Sequence, residues 1–138
     1  MKSGQKSGGG LSLLIVEDDK DALELLSTMI ARKFPAIKVY VAENGRKGLD
    51  LFRMRLPEVV ITDINMPVMD GIEMAGEIKS IRGDTRFIVL TAYTNRAYLE
   101  KFIEIGFSAY ILKPVVFTKL FDAIENCLAE INDQPAMH

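Results

Sequence analysis

Acidic side chains stand at the ends of two apolar segments, where oxygen ligands could meet a nucleophile. The segment "LLIVEDD" ends in Glu17, Asp18 and Asp19, and "VVITD" ends at Asp63. Carboxylates that lie within a few ångströms of one another repel and raise each other's pKa, and a divalent cation relieves that repulsion. Because a site of oxygen ligands with few carboxylates suits Mg²⁺, the sequence predicts a magnesium site.

A hydroxyl and an ammonium group follow two later apolar segments, Thr91 in "VLTA" and Lys113 in "YILKP". Both groups could donate hydrogen bonds to a phosphoryl group, and the metal would neutralise its charge. Asp63 is then the predicted nucleophile, forming an acyl phosphate. Taken singly, Asp18 or Asp19 could cap a helix, Thr91 could be an ordinary strand residue and Lys113 a surface lysine. Their joint occurrence favours phosphoryl chemistry.

The elements that must position these residues alternate between short apolar runs and segments of helical period. This alternation predicts an α/β fold, a parallel sheet with helices on both faces, and it places the carboxyl ends of all strands along one edge. The predicted strands are 11–17, 37–41, 58–62, 86–91 and 108–112. The predicted helices are 19–33, 45–54, 71–82, 95–105 and 117–131.

Length and composition restrict the class of protein. A chain of 138 residues fits one domain, and a net charge of −2 gives no basis for direct nucleic-acid binding. Cys127 and His138 are single residues of their types, which excludes an internal disulfide and a histidine-based metal cluster. Cys127 falls on an apolar stripe of the last helix, so we expect it in the core. No apolar run could span a membrane, and we expect a cytoplasmic location.

Domain limits follow from composition. Residues 1–10, rich in glycine, serine and lysine, are predicted to form a flexible leader of the kind found in expression tags. Residues 11–131 would form the domain and 132–138 a tail.

The segments "LLIVEDD", "VVITDINMPVMDG", "FIVLTAY" and "AYILKP" together resemble the receiver domain of bacterial two-component response regulators, including the chemotaxis regulator. The resemblance implies a doubly wound, flavodoxin-like sheet of five strands in the order 2-1-3-4-5, flanked by five helices. It also implies Asp63 as phosphoacceptor and Asp18 as a direct Mg²⁺ ligand. Glu17 would support the metal through water, and Asn65 would contribute its backbone carbonyl.

The resemblance further implies a phosphorylation-dependent switch. A histidine kinase or phosphotransfer protein would supply the phosphoryl group, Thr91 and Lys113 would hold its oxygens, and Tyr110 would change rotamer as Thr91 moves inward. The surface of the fourth helix, fifth strand and fifth helix would then control an output protein or fused effector. The bond between Lys113 and Pro114 is expected to be cis.

Two further hypotheses concern aromatic and apolar residues. The Tyr93 ring could cover the acyl phosphate and slow its hydrolysis, or it could lie in solvent. The fourth predicted helix carries more apolar rows than one buried face needs, which favours a partner surface, although inward packing or scattered exposure explains them as well. These apolar residues are Tyr98, Leu99, Phe102, Ile103 and Ile105.

Two other functions compete with the switch. A haloacid-dehalogenase-type phosphohydrolase also uses an aspartyl phosphate, but it needs a second carboxylate where this chain has Asn65, which cannot exchange protons at neutral pH. The chain also lacks room for a cap domain. A receiver-like module that signals without phosphorylation is the third alternative, although every side chain needed for phosphorylation is present.

Overall fold

The computed structural model describes residues 10–92 and 96–132. Five strands alternate with five helices through this part of the chain, as predicted. The strands are β1 (Ser12–Val16), β2 (Lys38–Ala42), β3 (Val59–Asp63), β4 (Arg86–Thr91) and β5 (Ala109–Leu112). The helices are α1 (Lys20–Lys33), α2 (Gly45–Arg55), α3 (Gly71–Ile81), α4 (Arg96–Ile105) and α5 (Phe117–Asn132).

The strands form one parallel sheet in the order β2-β1-β3-β4-β5, which confirms the predicted doubly wound topology. Every residue of β1 and β3 is buried, because helices cover both faces of the central strands. Val16 pairs with Thr62, and Asp63 pairs with Leu90. The residues that follow these pairs therefore lie side by side at the carboxyl edge.

Two apolar cores lie on opposite faces of the sheet. One contains buried residues of α2, α3 and α4, among them Phe52, Met74 and Phe102. The other contains buried residues of α1 and α5, including Cys127, which is 1% exposed. The prediction that Cys127 belongs to the core is confirmed, and burial raises the pKa of its thiol, which opposes a reactive thiolate.

Predicted element boundaries differ from the structure by one residue at several ends. The third strand was expected to stop at residue 62, but β3 includes Asp63, because that residue still pairs with Leu90 of β4. The second strand runs from Lys38 to Ala42, one residue later than predicted. The predicted leader and tail lie almost wholly outside the described residues and stay predictions.

The apolar residues of α4 divide between the core and the surface. Phe102 is fully buried, and Leu99 and Ile105 pack against the same core. Tyr98 and Ile103 remain 42% and 58% exposed. Three of the five apolar residues named above thus pack inward and two are exposed, and the partner surface stays a prediction. Within the described ranges, no helix combines the length and apolar character that crossing a membrane requires.

Candidate functional site

Asp63 lies at the carboxyl end of β3 in a recess of the sheet edge, with 7% of its surface exposed. The backbone N–H of Ile64 donates to its Oδ1 at 2.7 Å, which fixes the carboxylate plane. The loop that leaves Asp63 returns to it, since the Gly71 N–H donates to the Ile64 carbonyl at 2.7 Å. A Cβ on Gly71 would collide with the Asp63 carbonyl oxygen, so this return requires glycine.

Lys113 follows β5 and reaches across the edge to the acids. Its Nζ donates to Asp63 Oδ2 at 2.7 Å and to Glu17 Oε1 at 3.4 Å. Burial alone would lower the pKa of Lys113, but the hydrogen bond and negative charge of Asp63, with those of Glu17, raise it above the ordinary value. Lys113 therefore keeps its positive charge at neutral pH. The bond to Pro114 is cis, as expected.

Glu17 is a buried carboxylate beside the phosphoacceptor candidate, with 2% of its surface exposed. Burial raises its pKa, and the charge of Asp63 adds to the effect, while the Asp19 N–H and Lys113 act in the opposite direction. The N–H of Asp19 donates to Glu17 Oε2 at 3.1 Å. Asp19 itself caps α1, because its Oδ1 accepts from the N–H groups of Asp21 and Ala22.

Glu17, Asp18 and Asp63 form a group whose carboxylate oxygens lie within 4.8 Å of one another. Hard oxygen donors at this spacing fit a hard divalent cation. The predicted acidic ligands are thus brought together. Asn65 is exposed on the loop two residues after Asp63, and the role of its carbonyl stays a prediction.

The two predicted switch residues lie on neighbouring strands. Thr91 ends β4 with 1% exposure, and its hydroxyl donates to the Ala92 carbonyl at 3.3 Å. Tyr110 of β5 is 50% exposed, and its ring packs edge-on against Phe107 with centroids 6.1 Å apart. Tyr93 lies outside the described residues, so its predicted shielding role stays a prediction.

The chain matches the family model of the response regulator receiver domain over residues 13–125. It belongs to that family. The match contains both acidic strand ends, Thr91 and Lys113, which confirms the resemblance inferred from the motifs. Receiver domains are the phosphorylation-dependent switches of two-component signalling: they act as phosphoacceptors and work with kinases and output effectors.

Individual relatives support the same conclusion. An uncharacterized protein of Leptolyngbya boryana is 34% identical over 86% of this chain and 92% of its own length. The chemotaxis protein CheY of Halobacterium salinarum is 30% identical, over 84% and 95% of the two chains. The crystal structure of the N-terminal domain of an uncharacterized protein from Wolinella succinogenes is 37% identical with a TM-score of 0.83, covering 91% of this chain and 100% of that one.

Other relatives are longer than this chain. The chain spans between 25% and 49% of the length of four curated regulatory proteins from Bacillus subtilis, Staphylococcus epidermidis and Escherichia coli. A receiver domain therefore occurs both nearly alone and as one part of a larger regulator.

Sequence reasoning missed three structural features of the site. The bond from the Ile64 N–H to Asp63 has no sequence signal, because it depends on the local path of the backbone. The contact between Lys113 and Glu17 joins residues far apart in the chain. The third feature is the close backbone approach at Gly71, for which a glycine directly after the capping Asp70 is a sequence signal.

Proposed function

We propose that Asp63 accepts a phosphoryl group from a phosphohistidine on a histidine kinase or phosphotransfer protein. The observation that carries this proposal is the pair of distances at Lys113 Nζ, 2.7 Å to Asp63 Oδ2 and 3.4 Å to Glu17 Oε1. These contacts hold the Lys113 ammonium group beside the nucleophilic oxygen of Asp63 and leave the adjacent acids available to a metal ion. A carboxylate oxygen attacks phosphorus, the donor's P–N bond breaks, and the imidazole nitrogen keeps the electron pair.

Magnesium is the proposed cofactor. Asp18 and Asp63 would bind it directly, with the Asn65 carbonyl, while Glu17 would support it through water. When bound, the ion supplies charge neutralisation for the phosphoryl oxygens. The short loop that ties Asp63 to Gly71 holds Asp63 and Asn65 on one rigid path, which favours a single binding geometry.

The proposed switch begins at Thr91. A phosphoryl group brings about two negative charges to Asp63, and with Lys113 the Thr91 hydroxyl would donate to its oxygens. That rotation breaks the weak 3.3 Å bond to the Ala92 carbonyl and vacates volume for the Tyr110 ring. The exposed Tyr98 lies on α4, and the half-exposed Tyr110 and Leu112 lie on β5, so the exposure of these side chains would change with phosphorylation.

The remaining parts of the proposal concern context. We assign residues 11–131 to the receiver domain, with 1–10 as leader and 132–138 as tail. The output is a partner protein or a fused effector. We place the domain in the cytoplasm, without direct nucleic-acid or membrane contact, and its own chemistry is limited to self-phosphorylation from small donors and autodephosphorylation.

The test uses acetyl phosphate with and without Mg²⁺. The wild-type protein should gain one phosphoryl group in the presence of Mg²⁺, and peptide mapping after borohydride reduction should place it on Asp63. Asp63→Asn should gain none, whereas Asp50→Asn, an exposed acid on α2, should behave as wild type. Turnover of ordinary phosphomonoesters, or modification of another side chain, would refute the proposal.

A further inference from the structure

Val68 adopts a backbone conformation that suits its side chain poorly. Its φ is +74°, in the left-handed region, and the Met69 N–H donates to the Pro67 carbonyl at 2.8 Å across it. This three-residue turn is rare and strained, and a β-branched residue is among the least compatible with positive φ. Asparagine or glycine would adopt the same turn at lower free energy.

The conformation is imposed by the residues on both sides. Met66 and Met69 are 8% and 6% exposed and pack in the core below the loop. The Met69 carbonyl also accepts the N–H of Gly45 at 3.1 Å, and Asp70 caps α3 directly afterwards. Because the loop is held at both ends, its path does not depend on a valine at position 68.

The valine side chain is little buried by the fold in return. It is 79% exposed, the highest value among the large apolar side chains of the described residues. Val68 thus combines backbone strain with an exposed apolar side chain. Strained residues of this kind cluster at binding and switch sites, where an interaction outside the chain uses them.

The position of Val68 identifies the kind of partner. The loop runs from Asp63 to Gly71, so Val68 stands on the sheet edge that carries the phosphoacceptor. Asp63 is recessed at 7% exposure, and a protein must cover the surrounding loops to bring a histidine ring to it, whereas acetyl phosphate need not. We propose that Val68 is a recognition residue for the phosphohistidine-bearing protein donor, and this inference rests on the proposed function. An apolar depression on the donor would receive the Val68 side chain.

Three substitutions separate apolar contact from backbone strain. Val68→Thr keeps the branched shape and the strain but replaces a methyl group by a hydroxyl. Val68→Asn removes both the strain and the apolar surface, and Val68→Ile keeps both. Met54→Gln is the matched control, because Met54 is a 70% exposed apolar residue on α2, away from the loop. Val68→Asn should melt roughly 2–5 °C above the wild type.

The readout is the rate of phosphoryl transfer from two donors. The protein donor is the ³²P-labelled catalytic core of whichever purified histidine kinase, in a panel, phosphorylates the wild-type full chain. Val68→Thr and Val68→Asn should lose about fivefold or more in kcat/KM with this donor, while Val68→Ile and Met54→Gln stay within twofold. With acetyl phosphate all variants should match the wild type.

Each outcome decides the matter. Equal transfer from the kinase core to Val68→Asn and wild type overturns the proposal, as does a lower melting temperature of Val68→Asn, which would remove the strain on which it depends. A wild-type chain that accepts acetyl phosphate but no protein donor overturns it as well. Failure of the proposed function appears differently, as the absence of phosphorylation at Asp63 from either donor.

Discussion

Lys113 and a divalent cation would share the same carboxylates, so removing the lysine charge should strengthen metal binding. In Lys113→Met the apolar stem is retained while the ammonium beside Asp63 Oδ2 and Glu17 Oε1 disappears. We expect this variant to bind Mg²⁺ about 30-fold more tightly than the wild type. It should also lose most phosphorylation from acetyl phosphate, because Lys113 is the proposed donor to the phosphoryl oxygens.

The magnitude follows from the distances at the site. Nζ lies 2.7 Å from Asp63 Oδ2, and Mg²⁺ binds oxygen at about 2.1 Å, so ion and ammonium would be about 4–5 Å apart. Repulsion between charges of +1 and +2 at that distance is about 7 kcal/mol at an effective dielectric of 20 and about 2 kcal/mol in water. The Lys113 side chain is 34% exposed, so solvent screening favours the lower figure, which corresponds to about 30-fold.

Isothermal titration with MgCl₂ at fixed ionic strength measures the effect directly. Lys38→Met changes the net charge equally but lies at the amino end of β2, on the opposite edge of the sheet, and should shift the affinity less than twofold. Added salt should reduce the gain only slightly, because the two charges would lie closer together than the Debye length of about 8–10 Å. An unchanged or weaker Mg²⁺ affinity of Lys113→Met would refute the reasoning that both cations compete for these acids.

Three further predictions concern stability. Gly48→Ala should lower the free energy of unfolding in urea by about 1–3 kcal/mol, because a Cβ there would lie 2.9 Å from Met74 Sδ. Gly76 has open space around it, so Gly76→Ala should raise the free energy of unfolding by up to about 1 kcal/mol. A change in the same direction for both variants would contradict this. Asp19→Ala should cost about 1 kcal/mol through loss of the α1 cap, and an unchanged unfolding midpoint would argue against it. Because the folded-state pKa of Glu17 is raised, its contribution to stability is present at low pH and lost as pH rises through that value. In the absence of metal, Glu17→Gln should therefore have a higher melting temperature than the wild type at pH 7 and lose this advantage in acid. A difference in melting temperature that stays constant between about pH 4 and 7 would argue against the raised pKa of Glu17 as its cause.

The positions of the site residues could be predicted because parallel strands share one carboxyl edge. Any acid directly after β1 or β3 must lie there, and the apolar runs of these buried strands are plain in the sequence. The register that brings Glu17 beside Asp63 follows from the pairing of Val16 with Thr62. The strand order was predicted from the resemblance to a known family, because the hydrophobic periodicity of helices and strands alone is compatible with more than one strand order.

The features that escaped prediction depend on distances of a few tenths of an ångström. Helix propensity favours alanine over glycine at position 48, inside α2, but the Val16 and Met74 side chains occupy the space that a Cβ would need. The strained turn at Val68 escaped because local propensity assigns valine to extended backbone. Burial of the flanking Met66 and Met69 overrides that preference, and burial of this kind is a property of the assembled fold.

The charges at the sheet edge give a physical reason why the proposed phosphoryl transfer would depend on a metal ion. Glu17, Asp18 and Asp63 with Lys113 leave a net charge of about −2 when all are ionised, which repels an incoming phosphoryl anion. The proposed divalent cation would cancel that charge, so a small anionic donor could approach. Transfer would then restore negative charge at Asp63, and the proposed donor to it is the Thr91 hydroxyl, whose bond to the Ala92 carbonyl is long at 3.3 Å. On this proposal, a conformational response at Thr91 would require the phosphoryl group and would not be produced by the metal alone.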